Sequence, residues 1–101
     1  MNSLKSKDTG TLILSRCAGE QIEIGSVLLT VTDVRDGLAC LRLEGIVLGP
    51  VFTSLSCGSS LTIADVKIEI DRVSESKVRI VIVAPKSIKI SRVERLTEVT
   101  S

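Results

Sequence analysis

The chain states one pattern twice. Gly19, Ile22, Ile24 and Val34 return 39 positions later as Gly58, Leu61, Ile63 and Val73. Leu41-Arg42-Leu43 returns 37 positions later as Val78-Arg79-Ile80. Each copy keeps the order turn, short strand, long strand, hairpin, strand. A period of this size marks stacked or paired supersecondary units, and 101 residues are the length of one domain. The expected organisation is therefore a polar, flexible tail over residues 1–10 and one β domain over 11–101. That domain is built from two degenerate repeats, about 11–49 and 50–96. Duplication also frees the halves to diverge, so that one can keep a site the other has lost.

Local patterns place the strands. Val66, Ile68 and Ile70 alternate with Lys67, Glu69 and Asp71, the period of a half-buried strand. Thr11–Arg16, Gln21–Ile24, Val27–Arg35 and Ala39–Leu43 read as the strands of the first copy. Asp36-Gly37 is a hairpin signal, and Gly49-Pro50 turns the chain into the second copy. There, Val51–Leu55, Leu61–Ile63, Asp65–Val73 and Lys77–Val83 follow. Lys77–Val83 is apolar on both faces and reads as a central strand. Ala84-Pro85-Lys86 bends the chain, Ile88–Ile90 is a last strand, and Ser91 is placed to cap a short C-terminal helix. The expected fold is all-β: a small twisted antiparallel barrel or sandwich with that helix at its end.

Composition narrows the function. Val, Ile and Leu dominate, Phe52 is the lone aromatic, and Trp and Tyr are absent, which excludes stacking platforms for bases. The net charge is +1, yet Lys77 to Arg95 carries +5 against −4 for the rest. This asymmetry points to an anionic partner. Cys17, Cys40 and Cys57 are odd in number and lack CxxC spacing, so they read as reduced, small hydrophobes in a cytoplasmic protein without a metal site. Neither a signal peptide nor a membrane-length apolar run is visible. With no histidine, no phosphate-cradling glycine loop and no paired carboxylates, an enzyme is not expected and no cofactor is implied.

The ordered motifs Leu12-Ile13-Leu14-Ser15-Arg16, Gly19-Glu20, Ile24-Gly25, Leu61-Thr62-Ile63-Ala64-Asp65-Val66, Val78-Arg79-Ile80, Ala84-Pro85-Lys86 and Ile88-Lys89-Ile90-Ser91-Arg92-Val93-Glu94 span about residues 11–96. In that order they resemble the bacterial carbon storage regulator family (CsrA/RsmA). The resemblance implies a translational regulator that binds single-stranded GGA motifs in hairpin loops of mRNA leaders or small RNAs. It further implies an intertwined β dimer, here fused into one chain. Each RNA site would lie where the first strand of one repeat meets the last strand of the other.

Carried over by position, the principal arginine of the family falls on Arg92 and the apolar residue before it on Ile90. The first-strand positions fall on Leu12, Leu14 and Arg16, and the basic bend residue on Lys86. These six are the candidate RNA-binding residues. Arginine suits the task because it is permanently charged and presents a planar fork of donors. The chain departs from the family pattern where Cys17 follows Arg16, where Val93 replaces an acid, and where the final helix is curtailed at Ser101. Leu55 stands where the second copy should repeat Arg16, and Glu44–Pro50 is too short to repeat the Arg92 strand. The implication is one intact RNA site per chain. The competing expectation is a protein-interaction module or decoy that has lost RNA binding and meets a regulatory protein partner. The free edge of Val51–Leu55 would then recruit a partner strand. A monomeric pseudo-dimer and a strand-swapped homodimer both fit the short joint.

Overall fold

Strand formation follows from β-branched alternation. Val66, Ile68 and Ile70 are buried while Lys67 and Asp71 are exposed. Such a segment can satisfy its backbone and its apolar face only in a sheet. The structure, a computed structural model, describes residues 9–45 and 49–93. Among these are nine strands and no helix. In chain order they are β1 (Thr9–Cys17), β2 (Gln21–Ile24), β3 (Val27–Arg35), β4 (Leu38–Gly45), β5 (Val51–Ser56), β6 (Ser60–Ile63), β7 (Val66–Val73), β8 (Lys77–Pro85) and β9 (Ile90–Val93).

Two antiparallel sheets result, one in the order β1-β8-β7-β6 and the other in the order β5-β4-β3-β2-β9. Their inner faces share one aliphatic cluster, with Ile22, Leu29, Leu41 and Leu43 from one sheet and Ile68, Ile70, Ile80 and Ile82 from the other. The pairing crosses between the repeats. The opening strand of each repeat lies against the closing strand of the other, β1 on β8 and β5 on β4, and β9 lies on β2. Each three-stranded meander carries one bulge, at Val31/Asp33 in the first and Ile70/Arg72 in the second. The two bulges are 39 positions apart. Asp36 and Gly37 both take positive φ, 52° and 74°, as a two-residue I′ hairpin requires.

Several expectations are corrected. The sheets do not close into a barrel. Closure would need ladders joining β9 to β1 and β5 to β6, and neither forms, so the end strands keep open edges among the described residues. Thr9 and Gly10 belong to β1, opposite Pro85 and Ala84, rather than to a tail. The last strand starts at Ile90, not Ile88. The Ile88 N–H is used to close the bend on the Pro85 carbonyl at 3.0 Å, and only from Ile90 does the chain face β2. Ser91 pairs with Glu23 inside β9, so it caps no helix. The expected C-terminal helix beyond Val93, the tail over residues 1–8 and the centre of the joint at 46–48 lie outside the described residues. β8 is indeed interior, between β1 and β7.

Candidate functional site

Five of the candidate residues sit on two edge strands, β1 and β9, each the end of its own sheet, and Lys86 sits in the bend before β9. β1 starts opposite Pro85 and ends opposite Lys77. From Pro85 the chain bends, the Lys89 carbonyl accepts the Gly25 N–H at 2.8 Å, and β9 then runs from Ile24 to Gln21 along β2. Gln21 in turn follows Cys17 around the Ala18–Glu20 corner. Both strands therefore begin at the same bend and end at the same corner, each on the rim of its own sheet.

Register decides where the side chains go. Directly opposed residues of an antiparallel pair share a face. Ile90 lies opposite Ile24 and Arg92 opposite Ile22, and both partners are buried. Ile90 and Arg92 therefore line the inner side of the β9 rim. On β1, Leu14 and Arg16 are buried and Leu12 is 37% exposed, and these three form the inner row of that rim. The two rows belong to the side of the molecule where β1 and β9 each end a sheet. Lys86 stands at the bend, with its stem over the start of β1: a Cβ built on Gly10 would lie 3.6 Å from the Lys86 Cγ.

The two arginines differ in state. Arg92 is exposed and has no ion pair or side-chain hydrogen bond among the described residues. Arg16 is 8% exposed. Its Nε donates to the Ser15 carbonyl at 3.0 Å and its Nη1 to the Gln21 carbonyl at 3.3 Å. The Glu20 carboxylate lies 3.6 Å from Nε and also accepts the Cys17 N–H at 2.7 Å. A buried guanidinium must be paired and bonded, and the corner supplies both. Arg16 thus ties β1 of one sheet to β2 of the other. Its role as a tie was not read from the sequence. The i,i+4 spacing of Arg16 and Glu20 was the available signal.

A second feature escaped the sequence reading. Glu23, Gly25, Lys89 and Ser91 line a polar hollow of about 210 Å³. Glu23 and Ser91 are register partners, a juxtaposition that only the crossing of β9 onto β2 creates. The whole assembly offers two open backbone edges, an apolar floor from Leu12 and Ile90, and cations at Lys86, Lys89 and Arg92. No protein-family model, curated protein or solved structure matches the chain.

Proposed function

We propose that the protein is an RNA-binding post-transcriptional regulator. It recognises single-stranded GGA motifs in hairpin loops of mRNA leaders or small RNAs, with one site per chain, along β1 and β9. The observation that carries this reading is that β1 and β9, from opposite repeats, run in the same direction at the ends of the two sheets, with Arg92 unpartnered among the described residues. Unpaired bases expose their Watson–Crick edges. Unbonded strand N–H and C=O groups are obligatory partners in search of such edges. Arg92 and Lys86 reach the RNA, Leu12 and Ile90 give it an apolar floor with the buried Leu14 beneath, and Arg16 ties β1 to the start of β2. The other half lacks a counterpart of β9 among the described residues, which supports a single site.

The test uses a labelled hairpin with GGA in its loop, the same hairpin with its guanines changed, and two salt concentrations. Tight binding that needs the guanines is expected. Weak binding that ignores them and collapses with salt would reduce the interaction to charge attraction. Arg92→Ala should lower RNA affinity by about 1–3 kcal/mol with the melting temperature unchanged. Equal affinity of variant and parent would remove Arg92 from the site.

A second reading has its own observation. Residues 45–64 contain no charged side chain, and they supply both β5 and β6, the rims left bare. Val51 and Phe52 are 38% and 70% exposed there. Natural edges are usually guarded by charge, proline or bulges. An uncharged edge suits pairing with a second copy, where like charges would otherwise meet across the two-fold. Sedimentation should then show a dimer that Phe52→Lys dissociates, and a monomer at every concentration would sink this reading.

A further inference from the structure

One row of side chains crosses the outer face of the β1-β8-β7-β6 sheet. Ser15 lies opposite Arg79, and Arg79 lies opposite Arg72. Like charges facing each other across adjacent strands are destabilising, and nothing in the packing demands them, because all three residues are exposed. The equivalent row of the other sheet is Ser54, Cys40 and Asp33. It occupies the same place relative to its bulge. There the charged member is neutralised locally, since Asp33 accepts from Arg35 at 2.6 Å. The two sheets have thus diverged at one row. One copy holds a balanced acid and the other holds two opposed guanidiniums.

The two arginines are not isolated. Ser15, Arg72, Ser74, Lys77 and Arg79 line a hollow of about 280 Å³. Among the described residues its lining has three cations, two hydroxyl groups and no carboxylate. Asp71 approaches from outside the lining and takes one nitrogen of Arg79 at 3.3 Å. Arg72 and the Lys77 ammonium have no ion pair or side-chain hydrogen bond among the described residues. The Ser74 hydroxyl makes only a long bond, 3.4 Å, to the Lys77 carbonyl, so it is readily redirected.

We propose that this hollow is a phosphate-binding site. Two guanidinium forks and an ammonium converging on one place match a tetrahedral oxyanion, which arginine grips through paired N–H donors. The hydroxyls of Ser15 and Ser74 complete the donor set. A bound phosphate removes the repulsion between Arg72 and Arg79 that the free protein carries. The site does not rest on the RNA reading. It faces away from the inner row of Leu12, Leu14 and Arg16. A phosphomonoester and the phosphodiester of an RNA backbone share the chemistry it recognises.

The test is a titration followed by amide resonances. Inorganic phosphate is added to the full chain at pH 7.5, against sodium chloride of matched ionic strength. A guanine-free single-stranded RNA is titrated in parallel. Saturable shifts are expected at Ser15, Arg72, Ser74, Lys77 and Arg79, with at least tenfold weaker binding in Arg72→Ala. Arg35→Ala, on the other sheet, should bind as the parent does. If phosphate alone moves the row, the ligand is a small phosphate compound. If the RNA also moves it and phosphate competes, the ligand is the backbone. Shifts spread evenly over Lys86, Lys89 and Arg92, shifts unchanged in Arg72→Ala, or no saturable shift at all would each overturn the site. RNA shifts that phosphate fails to displace would overturn it as well.

Discussion

The β2-β3-β4 and β6-β7-β8 meanders are built alike and finished differently. Gly19 donates to the Val31 carbonyl at 2.6 Å and Gly58 to the Ile70 carbonyl at 2.7 Å. Val31 donates back to Glu20 at 3.0 Å and Ile70 back to Ser59 at 2.9 Å. The two glycines take φ of 94° and 90°. Yet β2 is covered by β9, while β6 ends its sheet bare among the described residues. The consequence is read in side chains at equivalent positions. Ile22 and Ile24 are 0% and 3% exposed, whereas Leu61 and Ile63 are only half-buried. A single short strand thus turns one copy of a motif into core and leaves the other as surface. Backbone hydrogen bonding sets the shared meander, and the strand laid beside it decides what that meander can do.

The largest expected effect probes that strand. Ile22→Ala should cost about 3 kcal/mol, as removal of a fully buried aliphatic side chain does. Leu61→Ala, at the same place in the other copy, should cost about 1–2 kcal/mol. Urea unfolding of the two variants makes the comparison directly. Equal losses would mean that β9 does not protect β2 and that the proposed site is not a formed feature in solution.

The opening strands carry the next difference. Arg16 closes β1 onto the Gln21 carbonyl, and its counterpart Leu55 on β5 is half-buried in apolar contact. Arg16→Ala removes bonds made by a buried charged donor to the Ser15 and Gln21 carbonyls, so a loss of about 2 kcal/mol is expected. Leu55→Ala should cost about 1 kcal/mol. Loss of RNA affinity in Arg16→Ala with stability intact would show that the buried tie breaks when RNA binds.

Much of this architecture was legible in the sequence, because alternation and turn chemistry are local. Val66 to Asp71 could be nothing but a half-buried strand. Asp36-Gly37 could hardly avoid the I′ hairpin, and the 39-residue offset brought out the duplication. What was not legible depended on pairing between distant segments. The start of β9 is set by where Ile24 lies, not by the apolar run Ile88–Ile90. Ser91 has the chemistry of a cap but meets Glu23 across a ladder. Arg16 looked like a strand-end cation because nothing in its neighbourhood announces the Gln21 carbonyl on the other sheet. The opposed Arg72 and Arg79 lie seven positions apart and become neighbours only through the hairpin and its bulge. For the proposed site, motif order alone nominates Leu12, Leu14, Ile90 and Arg92, while the common direction of β1 and β9 follows only from the crossed pairing.

A smaller effect tests the second turn of each meander. Gly25 and Ala64 occupy the same position, with φ of 58° and 53°. An L side chain is strained there. Ala64→Gly should stabilise the protein by about 0.5–1 kcal/mol. Gly25→Ala should destabilise it by more, because its Cβ would also lie 3.3 Å from the Ile88 Cγ2 in the bend that launches β9. Thermal melts of both variants order the two turns. A neutral Gly25→Ala would show that the bend yields freely and does not fix the proposed site.

The smallest expected effect concerns Asp33, the acid that has no counterpart in the arginine row. The Arg35 Nε hydrogen bond, with help from the Val34 N–H, holds its carboxyl below the ordinary value of 3.8. The folded state therefore releases this proton more readily than the unfolded chain. The resulting stabilisation is complete above the unfolded pKa and disappears as pH falls through the lower folded value. Both side chains are open to solvent, 70% for Arg35 and 40% for Asp33, so screening keeps the effect small. Unfolding midpoints measured from pH 6 down to pH 2.5 should decline slightly more for the parent than for Asp33→Asn. The gap should narrow in high salt. Arg72→Ala, in the equivalent row, should instead raise the midpoint at low salt by relieving the opposed charges, and should do so at every pH in that range. A parent and Asp33→Asn with identical acid limbs would mean that the Asp33–Arg35 pair is formed too loosely to neutralise its row. The contrast between the two rows would then rest on the arginines alone.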